Sequence, residues 1–275
     1  MIVLKKLITR SELEAVQNLE FLVWDMPTIP LHQTMTAVKN GGLIIGAYDG
    51  DKLVGFSYGF AGFSHGESYL CSHMLGIHPD YRSQKIGEQL KLRQRELAIE
   101  MGYTRMKWTY DPLETRNGYL NLTKLRGICD TYVVDCYGEM EDGLNSGLPT
   151  DRFEVHWHLT SDYVESGGER PIPVQIEHEP VSVGRISWNG KYPVLEPALP
   201  DKLEAAAYSI PVPKNFQEMK KNAPQLALDW RMKSRDLFIE LFSKNYVVVA
   251  LTQYEEYNTY ILVPIQTLQL KEIVQ

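Results

Sequence analysis

The chain has 275 residues, of which 44% are hydrophobic and 23% charged, so it can bury a core of normal size. Its net charge of -7 argues against a nucleic-acid partner, which would need clustered lysine and arginine to neutralise phosphates. No stretch approaches the roughly 18 consecutive apolar residues of a membrane span, and the N-terminus is too charged for a signal peptide. Three cysteines without metal-ligand spacing indicate neither a zinc site nor a disulfide framework, so we expect a cytoplasmic protein.

The first part of the chain alternates signals for strands and helices. Ser11 and Glu14 have the spacing of a capping box, Pro30 is a favoured first-turn residue, and Asp49-Gly50 indicates a hairpin. The predicted strands are 2–7, 43–48, 53–60, 69–77, 106–110, 127–137 and 152–159. The predicted helices begin at 11, 30, 82 and 114. This order predicts an α/β or α+β fold with parallel pairing near the centre of its sheet.

The composition changes after about residue 160. Ser166-Gly167-Gly168 and three nearby prolines indicate a linker, and no motif follows it. We predict a strand at 205–212, a helix at 224–244 and two closing strands at 246–252 and 259–265. The chain is therefore expected to contain one domain at 1–160 and a smaller α+β domain at 161–275.

The segment from His73 to Leu90 carries the chemistry. An apolar strand ends at Pro79, and a tight turn leads directly into a helix. The free amides at the start of that helix and its dipole form an anion site suited to a pyrophosphate. Gly87 allows close approach of a ligand, and Arg82 adds positive charge. The alternative is an ordinary strand–turn–helix connection with solvated surface charges.

This segment resembles the acetyl-CoA-binding motif of the GNAT acetyltransferase superfamily. The match rests on Arg82 and the Ile86-Gly87 pair, and it departs at Lys85, where the family usually has glycine. The resemblance covers residues 1 to about 160 and implies a mixed sheet flanked by helices. The residues that it implies for binding acetyl-CoA or another acyl-CoA are Leu75, Ile77, Arg82, Gln84, Lys85, Ile86, Gly87, Glu88 and Asn117.

The resemblance also implies a mode of binding and reaction. The pantetheine arm would lie beside the strand like an added strand, held by the main chain of Leu75 and Ile77. The thioester carbonyl would lie near the Leu75 amide, which would stabilise the developing oxyanion. The amine would then attack directly in a ternary complex, without a metal.

Three residues are candidates for acid–base catalysis. His73 lies on the strand that would bind the thioester, and its ordinary pKa suits proton removal at neutral pH; a packed strand histidine is the alternative. Glu67, at the start of the same strand, is a second candidate for the base or a solvated strand end. The family's usual acid, a tyrosine, would fall at Thr123, so Tyr119 one turn earlier is the substitute candidate, or an ordinary helix tyrosine.

Other polar residues are open to two interpretations. Asn117 could bond the pantetheine or only solvate its helix. Arg152 could bind a substrate carboxylate or form a surface ion pair. His156 and His158 alternate on one strand face, but no cysteine or carboxylate is spaced to complete a metal site, which favours a structural role.

We therefore expect an enzyme that transfers an acetyl or larger acyl group, such as succinyl, to the amine of a small molecule. An amino acid or related metabolite is the favoured acceptor, with no nucleic-acid or membrane partner. A catalytically silent acyl-CoA-binding module and a protein lysine acetyltransferase are the alternatives. A homodimer is left open, because the strand at 152–159 could be exchanged with another subunit.

Overall fold

A computed structural model describes residues 1–138, 147–165 and 179–270. Its described residues form two compact units. The first comprises Met1–Trp108 with His158–Thr160, and the second comprises the described residues of 109–157 and 161–270. The fold is mixed α/β, as predicted.

The first unit is built on a mixed sheet with helices on both faces. Its elements are β1 (Ile2–Lys6), α1 (Arg10–Trp24), α2 (Leu31–Lys39), β2 (Leu43–Asp49), β3 (Lys52–Ser64), β4 (Glu67–Ile77), α3 (Ile86–Glu100) and β5 (Arg105–Tyr110). The strands lie side by side in chain order, and all neighbours are antiparallel except the parallel pair β4–β5. The predicted strand–helix order and the parallel pairing are thus confirmed for this unit.

Alternating residues of β3 separate the two helical layers. Phe56 and Tyr58 pack with α1 in a buried apolar cluster that includes Leu13. Gly55 faces the other way, because a Cβ at this position would lie 3.2 Å from Ile86 of α3. Helices α1 and α2 therefore cover one face of the sheet and α3 covers the opposite face.

The second unit contains the remaining elements. They are α4 (Thr115–Gly118), β6 (Ile128–Val133), β7 (Arg152–His158), α5 (Asp162–Glu165), β8 (Val181–Ser182), β9 (Gly184–Asn189), β10 (Tyr192–Pro197), β11 (Tyr208–Pro213), α6 (Phe216–Asn222), α7 (Pro224–Ser243), β12 (Tyr246–Gln253) and β13 (Tyr257–Pro264). The strand order within the unit is β7-β6-β12-β13-β11-β8, and β9 and β10 form a separate hairpin.

Two arginines of α7, one buried and one half-buried, hold the second unit together. Arg231, 1% exposed, forms a two-pronged ion pair with Asp111, and Arg235 forms another with Asp151 at 2.8 and 2.9 Å. Asp151 is fully buried and also accepts a hydrogen bond from the Tyr132 hydroxyl at 2.7 Å. Removing one partner of such a pair leaves a buried charge uncompensated, so these pairs fix the position of α7.

The structure and the sequence-based expectations differ in several places. The compact units divide the chain about fifty residues before the expected boundary near 160, because β6 pairs with β12 through Cys129 and Val248. The linker predicted around Gly167 lies outside the described residues. The predicted helix at 114–124 is α4 followed by a π-helical segment, Tyr119–Lys124. Hairpin β9–β10 was not predicted, although Asn189-Gly190 at its turn is a strong hairpin signal.

The helices give no membrane-spanning segment. Among the residues described, none of them is both long and apolar enough to cross a bilayer.

Helix α1 begins two residues earlier than predicted. Thr9, not Ser11, is the N-cap residue, and the Glu12 carboxylate accepts hydrogen bonds from the Thr9 and Ile8 amides at 2.9 and 3.0 Å. These bonds lower the pKa of Glu12. Glu14 instead pairs with Arg10 at 2.8 Å. Thr9 with Glu12 and Ser11 with Glu14 both have the spacing of a capping box. The helix begins after Thr9, where the Glu12 carboxylate satisfies two free amides.

Replacing Thr9 tests this assignment. Thr9→Ala removes the cap and should lower the free energy of unfolding by about 1 kcal/mol. Ser11→Ala is the matched control and should change it by less than about 0.5 kcal/mol, because Ser11 lies within the first turn. Urea unfolding followed by circular dichroism measures both. An equal loss in the two variants would contradict the cap at Thr9.

Candidate active site

The turn between β4 and α3 is shaped by two residues in the left-handed region. A short 3-10 helix, Pro79–Tyr81, follows β4, and then Ser83 and Lys85 have φ angles of 66° and 59°. Lys85 is the N-cap of α3, and its side chain does not cap the helix. Glycine favours this backbone conformation, which gives a physical reason why the family usually has glycine at the position of Lys85. The first amides of α3 are left without a side-chain cap and can bind an anion.

Side chains on β2 and β3 anchor the turn. The Tyr81 hydroxyl donates to Asp49 at 3.1 Å, which raises the pKa of Tyr81, and Lys52 lies 5.4 Å from the centre of the Tyr81 ring. His78 Nδ1 accepts a hydrogen bond from the Asp80 amide at 3.3 Å. These contacts hold the turn against the sheet before any ligand binds.

The predicted anion-binding residues surround the start of α3. Arg82, Gln84 and Lys85 are exposed side chains of the turn, and Gln84 donates to the Asp80 carbonyl at 3.4 Å. Ile86 is buried beneath the turn, and Glu88 is half-buried in the first turn of the helix. The exposed cationic side chains of Arg82 and Lys85 thus lie beside the free amides of the helix, an arrangement that suits a phosphate.

Gly87 leaves space above the first turn of α3. A Cβ added there would meet only the Leu75 side chain, at 3.5 Å, which is an ordinary contact. The protein itself therefore does not require glycine at this position, and glycine in a helix costs up to about 1 kcal/mol relative to alanine. The presence of glycine at position 87 is explained if a ligand lies against the helix here.

Strand β4 has an edge that is only partly paired. Among the residues described, β5 pairs with it at Leu70 and Cys71 only. On the other side, the His78 amide donates to the Val54 carbonyl at 2.9 Å, in register with Ile77 opposite Gly55. Because bonded and non-bonded pairs alternate in antiparallel strands, the main-chain groups of Leu75 and Ile77 point away from β3 toward the open edge. They can hold an extended ligand there.

A β-bulge in β4 sets the direction of His73. Tyr58 is opposite Met74 and Gly59 is opposite Ser72, so His73 is the extra residue. Its ring packs against Tyr58 and Phe60, with centroids 6.2 and 5.6 Å apart. The bulge therefore places His73 on the face covered by α1 and α2. Although part of the ring reaches solvent, this packing desolvates it and lowers the pKa of His73 from 6.5, so the imidazole is neutral at pH 7.

His73 lines a pocket on that face. The cavity has a volume of about 700 Å³ and is mostly apolar. Its walls come from the connection after α1, from α2, from β3 and from β4, and they consist of Ile29, His32, Gln33, Thr36, Ala37, Tyr58, Phe60 and His73. Sequence analysis missed the other wall residues because they are distant in the chain and carry no motif. A cavity of this size and lining is typical of small-molecule sites.

Glu67 is not brought together with His73. The two residues lie six positions apart on β4, roughly 20 Å along a strand. Glu67 instead forms an ion pair with Arg105 of β5 at 2.9 Å. Its position is that of a strand-end charge.

The remaining predicted site residues lie in the second unit. Asn117 is in α4, and Tyr119 begins the π-helical segment, with the Lys124 ammonium 5.7 Å from its ring centre. Arg152 of β7 is buried; its guanidinium donates to the Asp151 carbonyl at 2.9 Å and lies 5.3 Å from the Tyr137 ring centre.

His156 has closer carboxylates than the sequence suggested. Its Nε2 lies 3.3 Å from Asp130 and 3.1 Å from Glu154, across and along the sheet. The sequence spacing did not reveal these neighbours, because strand pairing brings Asp130 close. His158 belongs to the first unit. Across the described ranges, no group of three or more histidine, cysteine or acidic side chains is arranged to hold a metal ion.

One family profile and several solved structures are similar to part of this chain. The profile of the acetyltransferase (GNAT) family matches residues 10–118. No curated protein sequence matches the chain. Among solved structures, the ribosomal-protein-S18-alanine N-acetyltransferase of Escherichia coli shares 15% identity, with 58% of this chain and 94% of that one aligned at a TM-score of 0.45. NAA60 of Arabidopsis thaliana, in complex with a bisubstrate analogue, shares 16% identity over 57% and 98% at a TM-score of 0.45.

A third similar structure contains a ligand. It is the protein yncA of Salmonella typhimurium, solved with its cofactor acetyl-CoA, which shares 11% identity over 57% of this chain and 94% of that one at a TM-score of 0.46. Of these comparisons, the match of residues 10–118 to the acetyltransferase (GNAT) profile supports the function that we propose below.

Proposed function

We propose that this protein is an N-acyltransferase that acylates the amine of a small molecule, an amino acid or a related metabolite, because residues 10–118 match the profile of the acetyltransferase (GNAT) family. Acetyl-CoA is the donor that the family supports, and succinyl-CoA is the larger donor to be tested. The observation that carries the choice of a small acceptor is the pocket of about 700 Å³ lined by His73.

The donor site consists of the turn and the open edge of β4. The pyrophosphate of CoA fits the free amides at the start of α3, with Arg82 and Lys85 beside it and Gly87 leaving room. The pantetheine arm extends along the edge of β4, where Leu75 and Ile77 offer their main-chain groups. Both parts of the site lie within the first unit.

The acceptor site is the pocket on the α1–α2 side of β4. Its apolar walls bury the body of a small amine, and the aromatic rings of Tyr58 and Phe60 favour a cationic or aromatic group nearby. The pocket is open to solvent on one side. Its concave and mostly apolar lining supports a small molecule as the acceptor over a protein lysine.

The His73 imidazole is placed to start the reaction. It is neutral at pH 7 because desolvation lowers its pKa, so it can accept the proton of the attacking amine. The amine nitrogen bonds to the thioester carbon, and the Leu75 amide stabilises the negative oxygen that forms. The C–S bond then breaks, leaving an amide and the CoA thiolate, which must take up a proton.

Two residues of the second unit are sequence-based candidates for roles in this reaction. Tyr119 stays the sequence-based candidate for the acid, and Asn117 the candidate for a bond to pantetheine. Arg152 is already engaged with Asp151 and Tyr137, so we leave it out of the proposed acceptor site.

A thiol-release assay tests the function. The purified protein is incubated with acetyl-CoA or succinyl-CoA and a panel of amines, including each amino acid and its decarboxylated counterpart. We expect release of CoA with at least one small amine, and the matched pairs show whether a carboxylate is required. Transfer to lysine-containing peptides alone, with no small acceptor, would contradict the proposal.

Gly87 tests the donor site. Gly87→Asp places a side chain and a negative charge against the pyrophosphate, so CoA affinity measured by calorimetry should fall roughly 100-fold. Gly87→Ala is the matched control: it adds only a methyl group, should fold at least as stably because alanine favours helix, and should weaken CoA less. Unchanged CoA affinity in folded Gly87→Asp would refute the site.

His73 tests the base. His73→Gln should keep CoA binding and lower kcat by about 10²-fold or more. In the parent, the rate should rise as pH increases through an apparent pKa below 6.5, where His73 loses its proton, and the variant should lack this limb. His32→Gln, which alters the other imidazole of the pocket, should change KM for the acceptor and keep the limb.

An acceptor amine of low pKa must be used in this experiment, because a protonated substrate would give a similar rise. Near-full activity of His73→Gln with the parental profile would show that His73 is a structural residue of the bulge.

A further inference from the structure

A cavity in the second unit lies outside the proposed acyl-transfer site. It has a volume of about 500 Å³, which is within the range of small-molecule sites. One wall is a face of the sheet formed by β11 and β13, and another is the segment that runs from residue 179 through β8 into β9. Every residue that lines it belongs to the second unit. We call it the β9–β11 cavity.

Two side-chain hydroxyls of the sheet face line this cavity without a protein partner. Ser209 of β11 is 8% exposed and Thr259 of β13 is 7% exposed. Thr259 is opposite Pro211, two residues beyond Ser209, so both hydroxyl-bearing side chains lie on the same face of the sheet as diagonal neighbours. Within the described part of the chain, neither hydroxyl has a hydrogen-bond partner. Buried hydroxyls are normally hydrogen-bonded, so these two need water or a ligand.

Gly184 allows β9 to lie close to β11. A Cβ added there would lie 2.6 Å from the Leu195 side chain and 3.1 Å from the Pro211 ring, so a larger residue would push the strand away. Just before this glycine, Ser182 is opposite Ser209 in the parallel pairing of β8 with β11. The Ser182 hydroxyl donates to the Gly184 carbonyl at 2.7 Å. These contacts fix the spacing of the cavity walls before any ligand binds.

Two tyrosines line the end of the cavity at the turn between β12 and β13. The ring centres of Tyr254 and Tyr257 are 6.1 Å apart, and their planes are inclined by 44°. The Tyr254 amide donates to the Tyr257 carbonyl at 3.2 Å, and the Lys214 ammonium donates to the Tyr254 carbonyl at 3.5 Å, so the turn is held in place. The pair offers an apolar ring surface together with phenolic hydroxyls.

The cavity is lined by one cation and one anion. Arg185 and Glu179 are both exposed, and neither forms an ion pair with another residue that the structure describes. Glu179 precedes β8, whereas Arg185 lies on β9 after the stretch that runs along β11, so the two charges come from opposite ends. A small ion or zwitterion would use only one end of the cavity. A neutral ligand that spans it can use both.

We propose that the β9–β11 cavity binds a neutral sugar of at least two rings. Sugar hydroxyls both donate and accept hydrogen bonds, which matches a guanidinium that only donates, a carboxylate that only accepts and serine and threonine hydroxyls that do both. The apolar face of a sugar ring packs against tyrosine. The cavity extends along β13 from Ile261 to Tyr257, roughly 14 Å, which exceeds the length of one ring. Sugar binding here is independent of the acyl transfer proposed above.

Calorimetric titration of the full chain with maltose, cellobiose, lactose and sucrose, without CoA, tests this site. We expect at least one of these disaccharides to bind. Thr259→Val replaces one hydroxyl by a methyl group of similar volume and should weaken that binding about tenfold or more, because it removes a hydrogen bond to the sugar. Valine favours strands, so this variant should fold. Ser209→Ala should weaken the same binding to a similar extent.

Two controls locate the bound sugar. Thr267→Val removes an exposed hydroxyl elsewhere in the second unit, and His32→Gln alters the pocket of the first unit; both should bind the sugar like the parent. Loss of binding in His32→Gln alone would place the sugar in the first unit and overturn the proposal.

Three further results would contradict the sugar site. They are the absence of binding by all four disaccharides, parental affinity in both Thr259→Val and Ser209→Ala, and binding of phenylalanine or citrate instead that these two variants abolish. The last result would show that the cavity takes a charged ligand. None of them affects the proposed acyl transfer, which is measured by release of CoA from the same protein.

Discussion

The separation of β4 from β5 is the constraint on which the rest of the site depends. The two strands pair at Leu70 and Cys71 and then part, so the edge of β4 beyond them has main-chain groups directed at open space. Main-chain donors and acceptors that are not paired within the protein need water or a ligand. An extended pantetheine arm can satisfy them, which is why we propose the gap in the sheet as the binding site.

Helix α3 contributes to this site at two levels. Its N-terminus offers uncapped amides to a pyrophosphate, with Gly87 leaving room for the ligand. One turn later, the buried Lys91 donates a hydrogen bond to Ser72, the residue after the last paired position of β4 with β5. On the other face of the sheet, the bulge at His73 turns an imidazole toward the apolar pocket. In the proposed reaction, donor and acceptor thus approach β4 from different sides.

Local sequence signals predicted what depends on local structure. The strand–turn–helix around Pro79 was recognisable because its signals, a proline, a glycine and nearby cations, lie on consecutive residues. The bulge was not recognisable from the sequence, because the extra residue at His73 shows only in the pairing of β4 with β3. The burial of Lys91 has no local sequence signal, since it depends on Trp108 from a distant strand. The pocket was invisible for the same reason.

Amide hydrogen exchange, resolved by residue with and without CoA, tests the central claim most directly. The Leu75 and Ile77 amides should exchange readily in the free protein and become protected when CoA binds, because pantetheine pairs with that edge. The Gly76 amide, directed at β3, is the internal control and should be protected in both states. Equal protection of Leu75 and Ile77 with and without bound CoA would show that the cofactor lies elsewhere.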